Sequence, residues 1–262
     1  PEVSDGNGSR YEKPMKGKIE FRDLTFGYNS KTVLDNIKLT VEPGQTIGLV
    51  GKTGSGKTTL VSVLARLYQV ESGRVFIDDV DINDWQLSAL RRQIGFATQE
   101  PFLFSDTIAG NIQFGRADIE FAEIENAAGI AALAGESESF RDGYESIVGE
   151  RGITLSGGQK QRAAIARAIL AKPQILIFDD VTSAVDTETE HLINEQIKQV
   201  LKGRTSIIIS HRVSSVKDAD LILYLQDGCI VERGTHEALL DLGGNYAELY
   251  RSQLLEMELE QL

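Results

Sequence analysis

Apolar and polar side chains alternate along residues 18–26 (Lys-Ile-Glu-Phe-Arg-Asp-Leu-Thr-Phe) and again along 33–41. A period of two predicts strands with one buried face. Glu42-Pro43-Gly44 supplies a turn signal after the second run. Residues 46–50, Thr-Ile-Gly-Leu-Val, read as a continuous strand of the kind covered on both faces. A glycine-rich stretch follows, then a helix predicted from 57 to about 67. Beyond it the pattern predicts a strand at 74–77, a helix at 87–92 and a strand at 94–97.

From 102 to 171 strand signals nearly vanish, and helical stretches dominate at 107–112, 121–134 and 159–170. This predicts a helical insert. Strand and helix then alternate again, with a strand at 175–178, a helix at 188–201 and strands at 206–209, 221–225 and 229–233. The tail, 245–259, reads as a charged helix. Such alternation predicts an α/β core around a mostly parallel sheet. The divisions it suggests are a linker at 1–16, a core of 17–100 and 172–262, and a helical subdomain at 101–171.

Composition narrows the function classes. Apolar residues make up 41% and charged residues 25%, an ordinary globular balance, and 262 residues can bury a large core. Asp plus Glu outnumber Lys plus Arg by 39 to 27, for a formal charge of -12. A field of that sign repels nucleic acid and anionic headgroups, which argues against a nucleic-acid partner. A local cluster of backbone N–H groups can still hold an anion. The single cysteine, Cys229, leaves no internal disulfide and points to a reducing compartment. No apolar run approaches the roughly 18 residues that span a bilayer. Residues 1–16 are polar and lack the apolar stretch of a signal peptide. They are expected to be a linker, and the chain a fragment of something longer.

Three motifs carry candidate chemistry. Gly51-Lys-Thr53-Gly54-Ser55-Gly56-Lys57-Thr58 fits G-x-x-x-x-G-K-[ST], follows an apolar strand and opens a helix. The glycines let the backbone curl so that several N–H groups face one phosphate, and the helix start adds favourable dipole charge. Lys57 would reach the β- and γ-phosphates and the Thr58 hydroxyl would bind Mg²⁺. Second, Ile175-Leu-Ile-Phe-Asp179-Asp180 is an apolar strand ending in a carboxylate, as a phosphate-bound Mg²⁺ requires. Third, Leu155-Ser156-Gly157-Gly158-Gln159 runs into a basic helix with Lys160, Arg162 and Arg167. It offers a second anion seat, and reads equally as an ordinary serine-capped helix start.

In this order and spacing the three motifs resemble the nucleotide-binding domain of ATP-binding cassette proteins, over about 19–249. The resemblance implies a RecA-like P-loop NTPase core, an N-terminal antiparallel β subdomain and an inserted α-helical subdomain. It implies ATP and Mg²⁺ as ligands, with the nucleotide bound by 53–59, Thr59 included, by Val33, and by Tyr28, which matches the aromatic that stacks on adenine. Gln99 matches the glutamine that reaches Mg²⁺ and the attacking water. Ser183-Ala184-Val185-Asp186 matches a loop that crosses a dimer interface, and His211 a histidine that senses the γ-phosphate. Taken singly, Tyr28, Gln99 and His211 read as a surface aromatic, a solvated loop residue and a strand-closing histidine.

Within the family, Val148-Gly-Glu-Arg-Gly152, residues 103–108 and residues 234–239 look exporter-like. The chain lacks the long coiled-coil insertion of chromosome-maintenance members. The implied partners are transmembrane domains and a second nucleotide-binding domain, at the cytoplasmic face of the cell membrane. Nucleic acid and direct membrane insertion of this stretch are not expected. This sequence departs from the pattern at three places. Ile147 stands where an acidic residue is common, Val185 where Leu is more usual, and Asp180 where the family has Glu. Asp is one methylene shorter, so its carboxylate sits about 1–1.5 Å back from the place of the general base. That predicts a slow site and resembles one subunit of a heterodimeric exporter. The alternatives are a slow homodimer, a regulatory ATP-binding module with little hydrolysis, and a soluble ATPase without a membrane partner.

Overall fold

The computed structural model describes residues 3–5, 11–116, 118–137, 140–149, 152 and 154–260. In chain order it runs β1 (Ile19–Tyr28), β2 (Lys31–Val41), β3 (Thr46–Val50), α1 (Lys57–Leu64), β4 (Val75–Ile77), β5 (Val80–Asp81), α2 (Leu87–Arg92) and β6 (Ile94–Ala97). There follow β7 (Asp106–Thr107), α3 (Ile108–Gln113), α4 (Phe121–Ile130), α5 (Ala134–Ser137), β8 (Ile147–Val148), α6 (Gly157–Leu170) and β9 (Ile175–Asp179). The last elements are α7 (Thr187–Leu201), β10 (Thr205–Ile209), β11 (Leu221–Gln226), β12 (Cys229–Gly234), α8 (His236–Leu242) and α9 (Asn245–Glu260). The mixed α/β class expected from the alternating pattern is what forms. Two compact units result, residues 1–91 with 203–262, and residues 92–202.

In the first unit β1 lies between β2 and β4, antiparallel to both, in the order β2-β1-β4-β5. Its inward residues Ile19, Phe21 and Leu24 are buried; the period of two holds from Ile19 to Phe21 and is broken by an irregularity before Leu24, where Asp23 takes a left-handed conformation (φ 47). A separate set of strands centres on β3, flanked in parallel by β10 and β11, with β12 antiparallel at the far side of β11. Successive residues Ile47, Gly48, Leu49 and Val50 are all buried, so both faces of β3 are covered and it carries no polar alternation; its parallel neighbours fix the strand end from which the glycine-rich loop departs. Val50, Val213, Val216, Ile222, Tyr224, Leu239 and Tyr246 pack into one core cluster. Glu232 anchors α9 by accepting the N–H groups of Asn245 (2.6 Å) and Tyr246 (3.0 Å). Burial raises the pKa of the Tyr246 phenol, which lies 2.7 Å from His236 Nδ1.

In the second unit β6 and β9 pair in parallel, Ile94 opposite Ile175 and Ala97 opposite Phe178. Every residue of β9 is buried. Helix α6 buries Ala163, Ile165, Ala166 and Ile169, and α4 buries Ile124, Ala127 and Ala128. The region read as a helical insert also holds a short antiparallel pair, β7 with β8. At the start of α7 the Asp186 carboxylate accepts the Thr189 N–H at 2.9 Å. That bond holds the Asp186 carboxyl below the usual carboxylate range.

The predicted helices at 57–67 and 121–134 both end early, by the same device. The Leu67 N–H turns back to Ser62 O and the Leu133 N–H to Ala128 O, while Arg66 (φ 50) and Ala132 (φ 54) take left-handed conformations. Glycine ordinarily fills that position, so the closures carry no sequence signal. At Arg66 the strain is offset by its buried guanidinium, which donates to Trp85 O at 2.7 Å and Ser4 O at 3.2 Å.

Candidate functional site

The loop from Gly51 to Gly56 is built so that only glycine fits its bends. At Gly51 (φ 141) a Cβ would sit 2.1 Å from Leu225 O, and at Gly56 (φ 103) 2.9 Å from Leu34 Cδ2. Gly54 (φ 81) faces open space. Gly56 is the residue before α1 and supplies no side-chain cap. A helix start leaves its first N–H groups without intrahelical acceptors, and these carry the positive end of the dipole. Lys57 is only 6% exposed, with Nζ donating to Gly51 O at 2.7 Å and Lys52 O at 3.0 Å. Its ammonium is thereby folded over the loop. The Ser55 Oγ is buried with no hydrogen-bond partner. An uncapped helix start, an orphaned hydroxyl and a buried cation together form a cradle that suits a phosphate anion.

Other predicted residues gather around this loop. Thr53, Gly54 and Thr58 are exposed on it, and Thr59 is buried. The Val33 carbonyl flanks Gly56. Tyr28 reaches Thr59 Oγ1 through its hydroxyl at 3.4 Å. Its ring is met edge-on by Phe26 at 5.2 Å and Tyr68 at 5.1 Å, which fixes the plane a base would stack upon. Phe26 and Tyr68 escaped the sequence reading, because an aromatic in a strand or after a helix reads as core. His211 lies beyond β10, and Gln253 of α9 pins its segment by donating to His211 O and accepting the Val213 N–H at 2.9 Å.

The second unit carries the remaining candidates. Asp179 ends β9 at 2% exposure, and Asp180 follows in a left-handed turn (φ 49). The Gln99 Nε2 donates to Asp180 Oδ2 at 3.2 Å, so the structure brings these two together. At α6, Ser156 and Gln159 close a capping box: the Ser156 Oγ accepts the Gln159 N–H at 3.2 Å, and Gln159 Oε1 accepts the Ser156 N–H at 2.9 Å. Both side chains therefore serve the helix start, and Gly157 and Gly158 offer its amides. Gly158 has a further reason to be glycine, since a Cβ there would lie 3.0 Å from Ala184 O. Gln161, absent from the sequence-derived candidates, is buried at this junction. A glutamine two residues into a polar helical stretch gives no signal of burial.

The loop after Gln99 is held by Arg167 of α6, which donates to Phe102 O at 3.0 Å and Asn111 O at 2.7 Å. Asn111 in turn accepts the Phe104 N–H at 2.8 Å. Phe102, Phe104 and Phe114 form an exposed aromatic group, with Phe104 and Phe114 stacked at 4.2 Å. Residues 148–149 and 152 of the exporter-like loop are described, while Glu150 and Arg151 lie outside the described residues. Among the described residues no group of three or more His, Cys, Asp or Glu is placed to hold a metal ion. A Mg²⁺ brought with substrate phosphates takes few protein oxygens, and the carboxylate of Asp179 and the hydroxyl of Thr58 are donors of that class.

Residues 34–183 match the ABC transporter family, more than half of the chain. The chain belongs to that family. The matched span of this ABC transporter chain runs from β2 through the glycine-rich loop and the Ser156–Gln159 motif to Ser183; Tyr28, Val33 and His211 fall outside it. The chain is 47% identical over 253 residues to mouse ATP-binding cassette sub-family B member 6, covering 96% of this chain and 30% of that protein. With an ATP-dependent lipid A-core flippase of Aromatoleum aromaticum it shares 46% over 263 residues, 98% of this chain and 43% of the flippase. It also superposes on a bacterial Atm1-family ABC exporter solved with ATP bound, at a TM-score of 0.92 and 39% identity, covering 97% of this chain and 45% of that one. The chain thus spans less than half the length of these relatives.

Proposed function

We propose that this chain binds ATP at the 51–59 loop and hydrolyses it, and that ATP-dependent pairing with a second nucleotide-binding domain drives export through transmembrane domains. The observation that carries the reading is the cradle itself: uncapped α1, the orphaned Ser55 hydroxyl and the buried Lys57. In this reading Tyr28 and Val33 face the adenine, and Thr53, Gly54, Ser55, Gly56, Lys57, Thr58 and Thr59 surround the phosphates. Thr58, Asp179 and Gln99 would hold a Mg²⁺ ion, which would supply neutralisation of phosphate charge. Asp180 accepts the proton of the attacking water, and His211 responds to the γ-phosphate. Ser156, Gly157, Gly158 and Gln159 serve the nucleotide of the partner domain. The work is a population shift between paired and open domains rather than chemistry on the cargo.

Location at the cytoplasmic face of a membrane, and residues 101–171 as the helical subdomain, belong to the same proposal. No helix among the described residues is long and apolar enough to cross a membrane. Two surface features support contact with transmembrane domains. One is the Phe102–Phe104–Phe114 group. The other is a cavity of about 380 Å³ lined by Phe140, Ile147 and Leu155, at whose rim Ile147 is 72% exposed.

Asp180 favours a second reading, in which the chain closes on ATP and barely turns it over, as the weaker subunit of a heterodimer. Phosphate release from Mg-ATP by the purified chain separates the two. Steady release above a blank supports the enzyme; tight binding with release at blank level supports the regulatory form. Absence of both binding and release would refute the reading of the site.

A further inference from the structure

Gln161 sits on α6 just past the Ser156–Gln159 motif, only 4% exposed, and every hydrogen-bonding group of its amide is used. Its Nε2 donates to Gln99 O at 3.3 Å and to Ser183 Oγ at 2.9 Å. Its Oε1 accepts the Ala184 N–H at 3.0 Å. Ser183 Oγ passes the link on by donating to Asp180 O at 3.0 Å. One side chain therefore joins the first turns of α6, the loop bearing Gln99 and the loop bearing Ser183 to Asp186. The same junction brings Gly157 and Gly158 against Ala184, where a Cβ would lie 3.3 Å from the Ala184 Cβ and 3.0 Å from its carbonyl oxygen respectively.

We propose that Gln161 is a positioning residue for hydrolysis, which holds the Gln99 loop in register with the 180–184 turn so that the Gln99 amide stays on the Asp180 carboxylate. The proposal rests on the ATPase reading above. The physical reason is geometric. The Gln99–Asp180 contact is 3.2 Å long and made by an exposed side chain, so it depends on where the two backbones lie. The Gln161 side chain hydrogen-bonds to both backbones, at Gln99 O and Ala184 N. A buried amide with both its donors and its acceptor oxygen engaged has two discrete states, in place or broken, and so sets register rather than merely adding attraction.

The test is a double-mutant cycle on the whole chain, with phosphate release and Mg-ADP affinity measured together. Gln161→Met keeps the length and removes all three bonds; Gln161→Glu keeps the acceptor for Ala184. Gln161→Met is expected to lower kcat at least tenfold with Mg-ADP affinity within threefold of the parent, and Gln161→Glu to fall between. In a Gln99→Ala background Gln161→Met is expected to add less than twofold, because Gln161 acts through Gln99. A parent-like kcat in Gln161→Met, losses that multiply in the double variant, or no effect of Gln99→Ala would each overturn the proposal. If Gln161→Met fails to fold, Gln161→Glu and Ser183→Ala carry the same cycle. A parent chain that releases no phosphate above the blank would refute the ATPase reading instead, whether or not it binds nucleotide.

Discussion

Lys57→Ala loses nucleotide affinity by about 10- to 150-fold, the range expected when a charge-assisted bond worth roughly 1.5–3 kcal/mol is removed. The structure adds a reason for the upper part of that range. Lys57 Nζ also braces the loop, through Gly51 O at 2.7 Å and Lys52 O at 3.0 Å. Truncation removes the cation and unpins the carbonyls that keep Gly54 and Ser55 in place. Titration calorimetry with Mg-ADP checks the value, and affinity within twofold of the parent would contradict the assignment. The thermal midpoint should move little, since α1 keeps its buried apolar residues Leu60, Val61 and Leu64.

Asp180→Glu raises the rate of phosphate release at least tenfold and leaves nucleotide affinity unchanged. A well-placed base contributes about 10²–10⁴-fold, and the extra methylene returns the carboxylate to the reach the family pattern calls for. In this structure the shorter side chain is met by the Gln99 amide at 3.2 Å, so both polar groups are present at one place. Asp180 occupies a left-handed turn at φ 49, which Asp tolerates better than Glu. Stability is therefore measured beside the rate, so that strain is not mistaken for lost chemistry. A large gain in rate supports a slow parent site; an unchanged rate would mean that Asp180 does not limit turnover.

Much of this was legible in the chain itself, for identifiable reasons. The β3–loop–α1 unit announces itself because a strand covered on both faces must be continuously apolar and the loop bends demand glycine at Gly51 and Gly56. Strand β1 is legible because Ile19 and Phe21 alternate with polar neighbours, while the irregularity between Phe21 and Leu24 left no clear signal. Helix ends at Arg66 and Ala132 were hidden, since left-handed closures there use residues that favour helix interiors. The β7–β8 pair was hidden because each strand has only two residues and its partner lies far away in sequence. Phe26, Tyr68 and Gln161 were hidden for a different reason. Their importance lies in what they touch, at Tyr28, Gln99 and Ala184, and no spacing along the chain encodes those contacts.

The central claim is that the backbone amides opening α1 form the seat for a nucleotide's terminal phosphates. Amide NMR during a titration with Mg-ADP tests it most directly. The account predicts saturable shifts concentrated at Gly54, Ser55, Gly56, Lys57, Thr58 and Thr59. Saturable binding that leaves those six amides unmoved would contradict it.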